Sequence, residues 1–200
     1  MTVANSVVKR RFKRGEAIVT QGKTSNALFI LLNGRARVIS SDRRGREVIL
    51  AVLEPGDHIG EMSLIDNGTH SATVRAEVAT DVLMLASDEF ARCLRANAAM
   101  ADAVMRSLVQ RLRRASRKIE TLALMDVYGR VARTLLELGA DDGNGGLMIR
   151  EKISRQDIAK VVGASREMVS RVMKSLEENG FIETQDNGAM LIKEPISTLC

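Results

Sequence analysis

Through residue 90 the apolar positions come in short β-rich runs separated by turn residues. Ala17–Thr20, Ala27–Leu32, Arg35–Ser40, Glu47–Leu53, Ala72–Val78 and Asp81–Ala86 each predict a strand. Gly15, Gln21-Gly22, Asn33-Gly34, Asp42 to Gly45, Pro55-Gly56-Asp57 and Asn67-Gly68 predict the turns between them. Short strands at regular spacing with glycine corners predict a small barrel or jelly roll. The Asn33-Gly34 pair between two such runs predicts a two-residue hairpin.

Near Ser87 the period changes. Asp88–Arg95 predicts a short helix, leading through Asn97 into a long helix that ends near Leu124. Along it Ala101, Met105, Leu108, Leu112, Ala115, Ile119 and Leu122 step by four and three in alternation. That spacing is a heptad seam, with arginines, Lys118 and Glu120 outside it. Because the period is nearer 3.5 than 3.6, the stripe reads as a dimer seam rather than a core-facing side. Val104 and Val109, off the seam, are left to pack on the barrel. Asp126 opens another amphipathic helix through Leu138, which Gly139 closes. A loop, Asp141 to Gly146, and a strand, Leu147–Arg150, follow.

The next segment carries the clearest chemistry. Ser154-Arg155-Gln156-Asp157 is a capping-box start for a helix whose Ile158, Val161 and Val162 turn inward. Gly163-Ala164-Ser165 makes a tight turn, and Ser165 can cap a second helix ending at Asn179-Gly180. Val169, Val172, Met173 and Leu176 form the inner stripe of that helix; Arg166, Glu167, Ser170, Arg171 and Lys174 occupy its other face. Two short helices around a glycine turn, the second with an exposed basic and polar stripe, describe a helix-turn-helix. Phe181–Thr184 and Ala189–Lys193, joined through Gln185 to Gly188, predict a two-stranded wing. A solvated helix face, with Glu167 and Arg171 paired one turn apart, would account for the stripe without DNA. Base readout accounts for the residue types as well. Arginine grips guanine O6 and N7 with two hydrogen bonds, and glutamate accepts from cytosine N4.

Charge sharpens this reading. The chain has 200 residues and a formal charge of +5. Between Arg150 and Lys174, seven Lys or Arg face three acids, which suits a phosphate backbone. Aromatics are 2% of the chain, too few for base-stacking recognition of single strands. Cys93 and Cys200 are too few for a disulfide scaffold, a zinc site or an iron–sulfur cluster. The apolar runs are too short to span a bilayer, and the N-terminal MTVANSVVKRRFKRG has no apolar signal core, so a cytoplasmic protein is expected.

A second candidate site lies at GEMSLIDNGTHSATVRAE, Gly60 to Glu77. It joins a Gly60-Glu61 pair to a Thr69-His70-Ser71 cluster ahead of a strand, and reads as a ligand cradle. An enzyme is disfavoured. The nucleophile candidates Ser71, Cys93 and Ser116 have no histidine–acid set around them, and His58 and His70 are the only histidines.

Over essentially all its residues the chain resembles the family of the cyclic AMP receptor protein and the fumarate–nitrate reduction regulator. The resemblance rests on the glycine-punctuated roll, GDHIGEMSL, SATVRAE, the heptad helix, LMDVYGRVARTLLEL and SRQDIAKVVGASREMVSRVMKSLEENGFI. Members usually carry additional residues before the first strand, whereas this chain starts almost inside the roll. The resemblance implies an α+β architecture: a cyclic-nucleotide-binding-like β-roll at 1–96, a dimerisation helix at 97–124 and a winged helix-turn-helix at 125–200. It implies a homodimeric transcription factor that reads TGTGA-like inverted half-sites and contacts RNA polymerase. Arg166, Glu167 and Arg171 match the base-reading positions. Ser154, Arg155, Gln156 and Ser165 match backbone-contacting ones, with Ser170 and Lys174 on the same face. Met168 stands where the family has a small polar residue that contacts phosphate.

In the pocket, Gly60, Glu61 and Ser71 keep the family pattern, with Met62 a further candidate beside them, but His70 stands where an arginine grips the cyclic phosphate. On the long helix, Ala115-Ser116 replaces the Thr-Ser pair that reaches the adenine. A mostly neutral imidazole lacks arginine's fixed fork of donors. These two departures argue against high-affinity cyclic AMP binding and leave the effector unknown: another nucleotide such as cyclic di-GMP, a different small molecule, or none. In the last case DNA binding is constitutive and the roll vestigial. A cyclic-nucleotide sensor whose winged helix binds protein is the alternative from another class. If switching occurs, the resemblance implies that ligand at Glu61, Ser71 and Ser116 acts through the seam helix and the Met125-Asp126 junction.

Overall fold

The computed structural model describes residues 7–141, 146–185 and 187–193. The ends of the chain with Cys200, most of the glycine-rich loop after Asp141, and Asp186 in the wing turn lie outside the described residues. The chain divides into two compact units, Met1–Val109 and Gln110–Cys200, with the division inside the long helix.

The first unit is a roll of two four-stranded antiparallel sheets. Its strands are β1 (Val7–Phe12), β2 (Ala17–Val19), β3 (Ala27–Asn33), β4 (Ala36–Ser41), β5 (Glu47–Leu53) and β6 (His58–Ile59). A short helix α1 (Glu61–Ile65) precedes β7 (Thr73–Ala76) and β8 (Thr80–Ala86). One sheet runs β1-β8-β3-β6 and the other β2-β7-β4-β5. β3 shows why its sequence is an unbroken apolar run. Successive side chains point to opposite faces, and both faces are covered. Ala27, Phe29 and Leu31 join Val74, Ala76 and Val82 between the sheets. Leu28 packs outward against Leu85, Phe90 and Val104, the last two from helices α2 (Ser87–Ala96) and α3 (Ala98–Leu124).

The Asn33-Gly34 hairpin is corrected by this topology. β3 and β4 belong to different sheets, so the pair is a corner at which the chain changes layers. Gly34 has φ +94°, and a Cβ there would lie 2.6 Å from the Ala79 carbonyl oxygen. The turn is where the sequence places it, but it joins layers instead of neighbours. β1 escapes the periodicity because Lys9, Arg10 and Arg11 leave it only Phe12 fully buried; it is a charged edge strand paired with β8.

The second unit holds α4 (Val127–Leu138), α5 (Arg155–Val162) and α6 (Arg166–Glu178). Its strands are β9 (Ala140–Asp141), β10 (Leu147–Ile149), β11 (Ile182–Thr184) and β12 (Met190–Ile192). The wing hairpin β11–β12 forms, and β12 also pairs with β10, which pairs with β9, so the sheet has four strands rather than two. Val131, Leu135, Ile158, Val162, Val169, Met173, Leu176, Ile182 and Ile192 share one core.

Candidate DNA-recognition face and effector cassette

Both helices of the helix-turn-helix are set by their caps. The Ser154 hydroxyl oxygen accepts from the Asp157 N–H at 3.0 Å, and its proton goes to the Asp157 carboxylate, also 3.0 Å away. The α5 helix ends at Gly163 in the left-handed region, φ +67°, which lets the chain turn sharply. Ser165 then caps α6 by accepting from the Met168 N–H at 3.2 Å. Val169, Met173 and Leu176 are fully buried on the inner side of α6. At about 100° per residue this leaves Arg166, Glu167, Ser170, Arg171 and Lys174 exposed, as the sequence predicts.

Glu167 sits below the usual carboxylate range, chiefly through its own backbone N–H, then the Ser165 hydroxyl, then Arg166 and Arg171. It is therefore an ionised acceptor at neutral pH. Among the described residues Glu167 and Arg171 do not close into an ion pair, and neither Arg166 nor Arg171 is engaged in a hydrogen bond, so both forks face solvent. Lys174 pairs with Glu178 at 3.5 Å. Arg155, half-buried between the exposed Ser154 and Gln156 at the start of α5, lies 3.7 Å from the Glu177 carboxylate. That carboxylate also accepts from the Thr184 hydroxyl at 2.6 Å, tying the end of α6 to the wing strand. Sequence reasoning missed Glu177, because no local spacing links residues 155, 177 and 184.

In the roll, Gly60, Glu61 and His70 come together. Gly60 has φ +93°, and a Cβ there would lie 3.5 Å from His70 Cε1. Glu61 is 1% exposed and His70 6% exposed. His70 Nε2 lies 2.9 Å from Ser25 Oγ, and Nδ1 lies 3.3 Å from Ser63 Oγ. Burial holds its pKa below the ordinary 6.5, with the Glu61 charge opposing. The imidazole is thus turned into the protein, whereas Met62 and Ser71 are exposed. Ser116 is exposed on α3, in the other compact unit.

On α3 the seam is bare. Met105, Leu112 and Ile119 are 57%, 68% and 66% exposed, Leu122 is 46%, and Ala115 is exposed with them. Leu108 alone of these is drawn partly against the Phe90 and Val104 cluster. Val104 is buried, as its place off the seam suggests, while Val109 stays exposed.

Comparison with known proteins accords with both halves. Residues 9–97 match the cyclic nucleotide-binding domain, and residues 129–195 match the Crp-like helix-turn-helix domain. The chain is 36% identical over 185 residues to the cAMP-activated global transcriptional regulator Vfr of Pseudomonas aeruginosa, covering 88% of this chain and 86% of that protein. It is 34% identical over 177 residues to the cAMP-activated global transcriptional regulator CRP of Salmonella typhimurium, covering 86% and 83%. The fold is shared with the c-di-GMP responsive global regulator CLP of Xanthomonas campestris, with a TM-score of 0.80 at 24% identity over 95% of this chain and 94% of that one. The chain belongs to the cyclic AMP receptor protein family of DNA-binding transcription regulators.

Proposed function

We propose that the protein is a homodimeric regulator that reads an inverted repeat of TGTGA-like half-sites through α6. The observation that carries this is the exposed stripe Arg166, Glu167, Ser170, Arg171 and Lys174 on a helix whose opposite side is fully buried. Arg166 and Arg171 take guanine, Glu167 takes cytosine N4, and Ser154, Arg155, Gln156 and Ser165 fix the duplex through its backbone. The exposed apolar stripe of α3 supplies the dimer contact, so that two recognition helices meet successive major grooves. The proposal extends to contact with RNA polymerase and work in the cytoplasm, both supported by family membership alone. Selection from random duplexes should return the palindrome. Arg171→Ala should then cost ~1–3 kcal/mol and relax the preference at one guanine. An unchanged sequence profile would refute the assignment.

The effector is a nucleotide or other small molecule that meets Gly60, Glu61, Met62 and Ser71. Cyclic AMP, if bound, is bound weakly, because residue 70 is a histidine, which offers no guanidinium, and its ring is turned inward. Titration with cyclic AMP, cyclic GMP and cyclic di-GMP, with and without operator DNA, tests this. Equal operator affinity with and without every ligand would favour a constitutive regulator instead.

A further inference from the structure

We propose that Met168 reads thymine, by laying its side chain against the C5-methyl group in the major groove; this rests on α6 being the recognition helix. Met168 lies in the first turn of α6, its N–H held by the Ser165 cap. Its position is therefore fixed while its side chain is free. That side chain is 39% exposed. Its neighbours on the same turn are Arg166, Glu167 and, three residues on, Arg171, all polar and exposed. Among the described residues, the other large apolar side chains that stand so exposed in this unit lie on α3 or at the end of α4.

A thioether has no proton to donate to phosphate, so Met168 cannot serve as a backbone anchor. Of the groups that base edges present in the major groove, the thymine methyl is the apolar one. Methionine is unbranched and flexible enough to reach it from the flank of the helix. Because residues three apart are neighbours on a helix surface, the thymine should adjoin the guanine read by Arg171.

Removing the methyl from the DNA tests this without altering the protein. An operator selected by the protein itself is resynthesised with each thymine replaced in turn by deoxyuridine, and binding is followed by fluorescence anisotropy. One position per half-site should weaken binding about three- to sixfold, as expected when one methyl group is no longer withdrawn from water. Met168→Leu should keep that sensitivity. Met168→Gln, of similar length but polar at its end, should abolish it. A flat scan, or the same weakening in Met168→Gln, would overturn the proposal while leaving DNA recognition by α6 intact. Failure to select any duplex would overturn both.

Discussion

At the scale of single residues, His70 shows how a substitution at a binding position becomes a structural one. The Ser63 hydroxyl donates to the Gly60 carbonyl at 2.9 Å, so its oxygen is free to receive Nδ1–H of the imidazole. The Ser25 hydroxyl has two acceptors, the Ala27 carbonyl at 3.3 Å and Nε2 at 2.9 Å, and the shorter one is the imidazole. These bonds accommodate a neutral ring, the form that burial favours. A second proton would reverse the Ser25 hydrogen bond, turning the hydroxyl to the Ala27 carbonyl. The folded pKa lies below the unfolded 6.5, so the unfolded chain takes up the proton first as pH falls. The stability from this site is complete above that value and is lost as pH drops through the folded pKa. Urea unfolding followed from about pH 7.5 down to about pH 5, a range that brackets the free imidazole, should show a declining midpoint, and His70→Gln should flatten the decline. The position of His70 in the cassette is legible in the sequence. Its partners are not, because Ser25 stands 45 residues away.

At the scale of elements, a corner and a hairpin look alike in sequence. Asn33-Gly34 has the turn chemistry of both, and only the partners of the flanking strands separate them: β8 and β6 for β3, and β5 and β7 for β4. Local patterning cannot carry that information. Helices are more legible, since their caps are local: Asp126, Ser154 and Ser165 each accept the N–H of the residue three places on. β1 is illegible because its charges break the alternation. Gly34→Ala combines a left-handed φ with an approach closer than real Cβ atoms make. It should lower stability by about 2 kcal/mol or more, measured by urea denaturation. Gly45→Ala, which meets nothing within 4 Å and carries only the φ penalty, should lose less.

At the scale of the molecule, the basic excess that the helix-turn-helix contributes to a net charge of +5 makes operator binding a salt-dependent equilibrium. Lys174→Gln should weaken binding nearly uniformly across sequences. It should make the log–log salt slope shallower by about two for a dimer, one for each phosphate that is no longer neutralised. A change confined to one base preference would instead mark Lys174 as a reader. The corner at Gly34 also bears on how the chain acquires its shape. Because the strands around it do not pair with each other, the first sheet cannot zip up as a local ribbon. Val7 finds its neighbour only at Leu85, and Ala17 only at Arg75. On a ribosome adding ~5–20 residues per second, the opening strand waits several seconds for its partner to emerge. The run of lysine and arginine in β1 then has a second use, keeping an unpaired nascent edge in solution until β8 arrives.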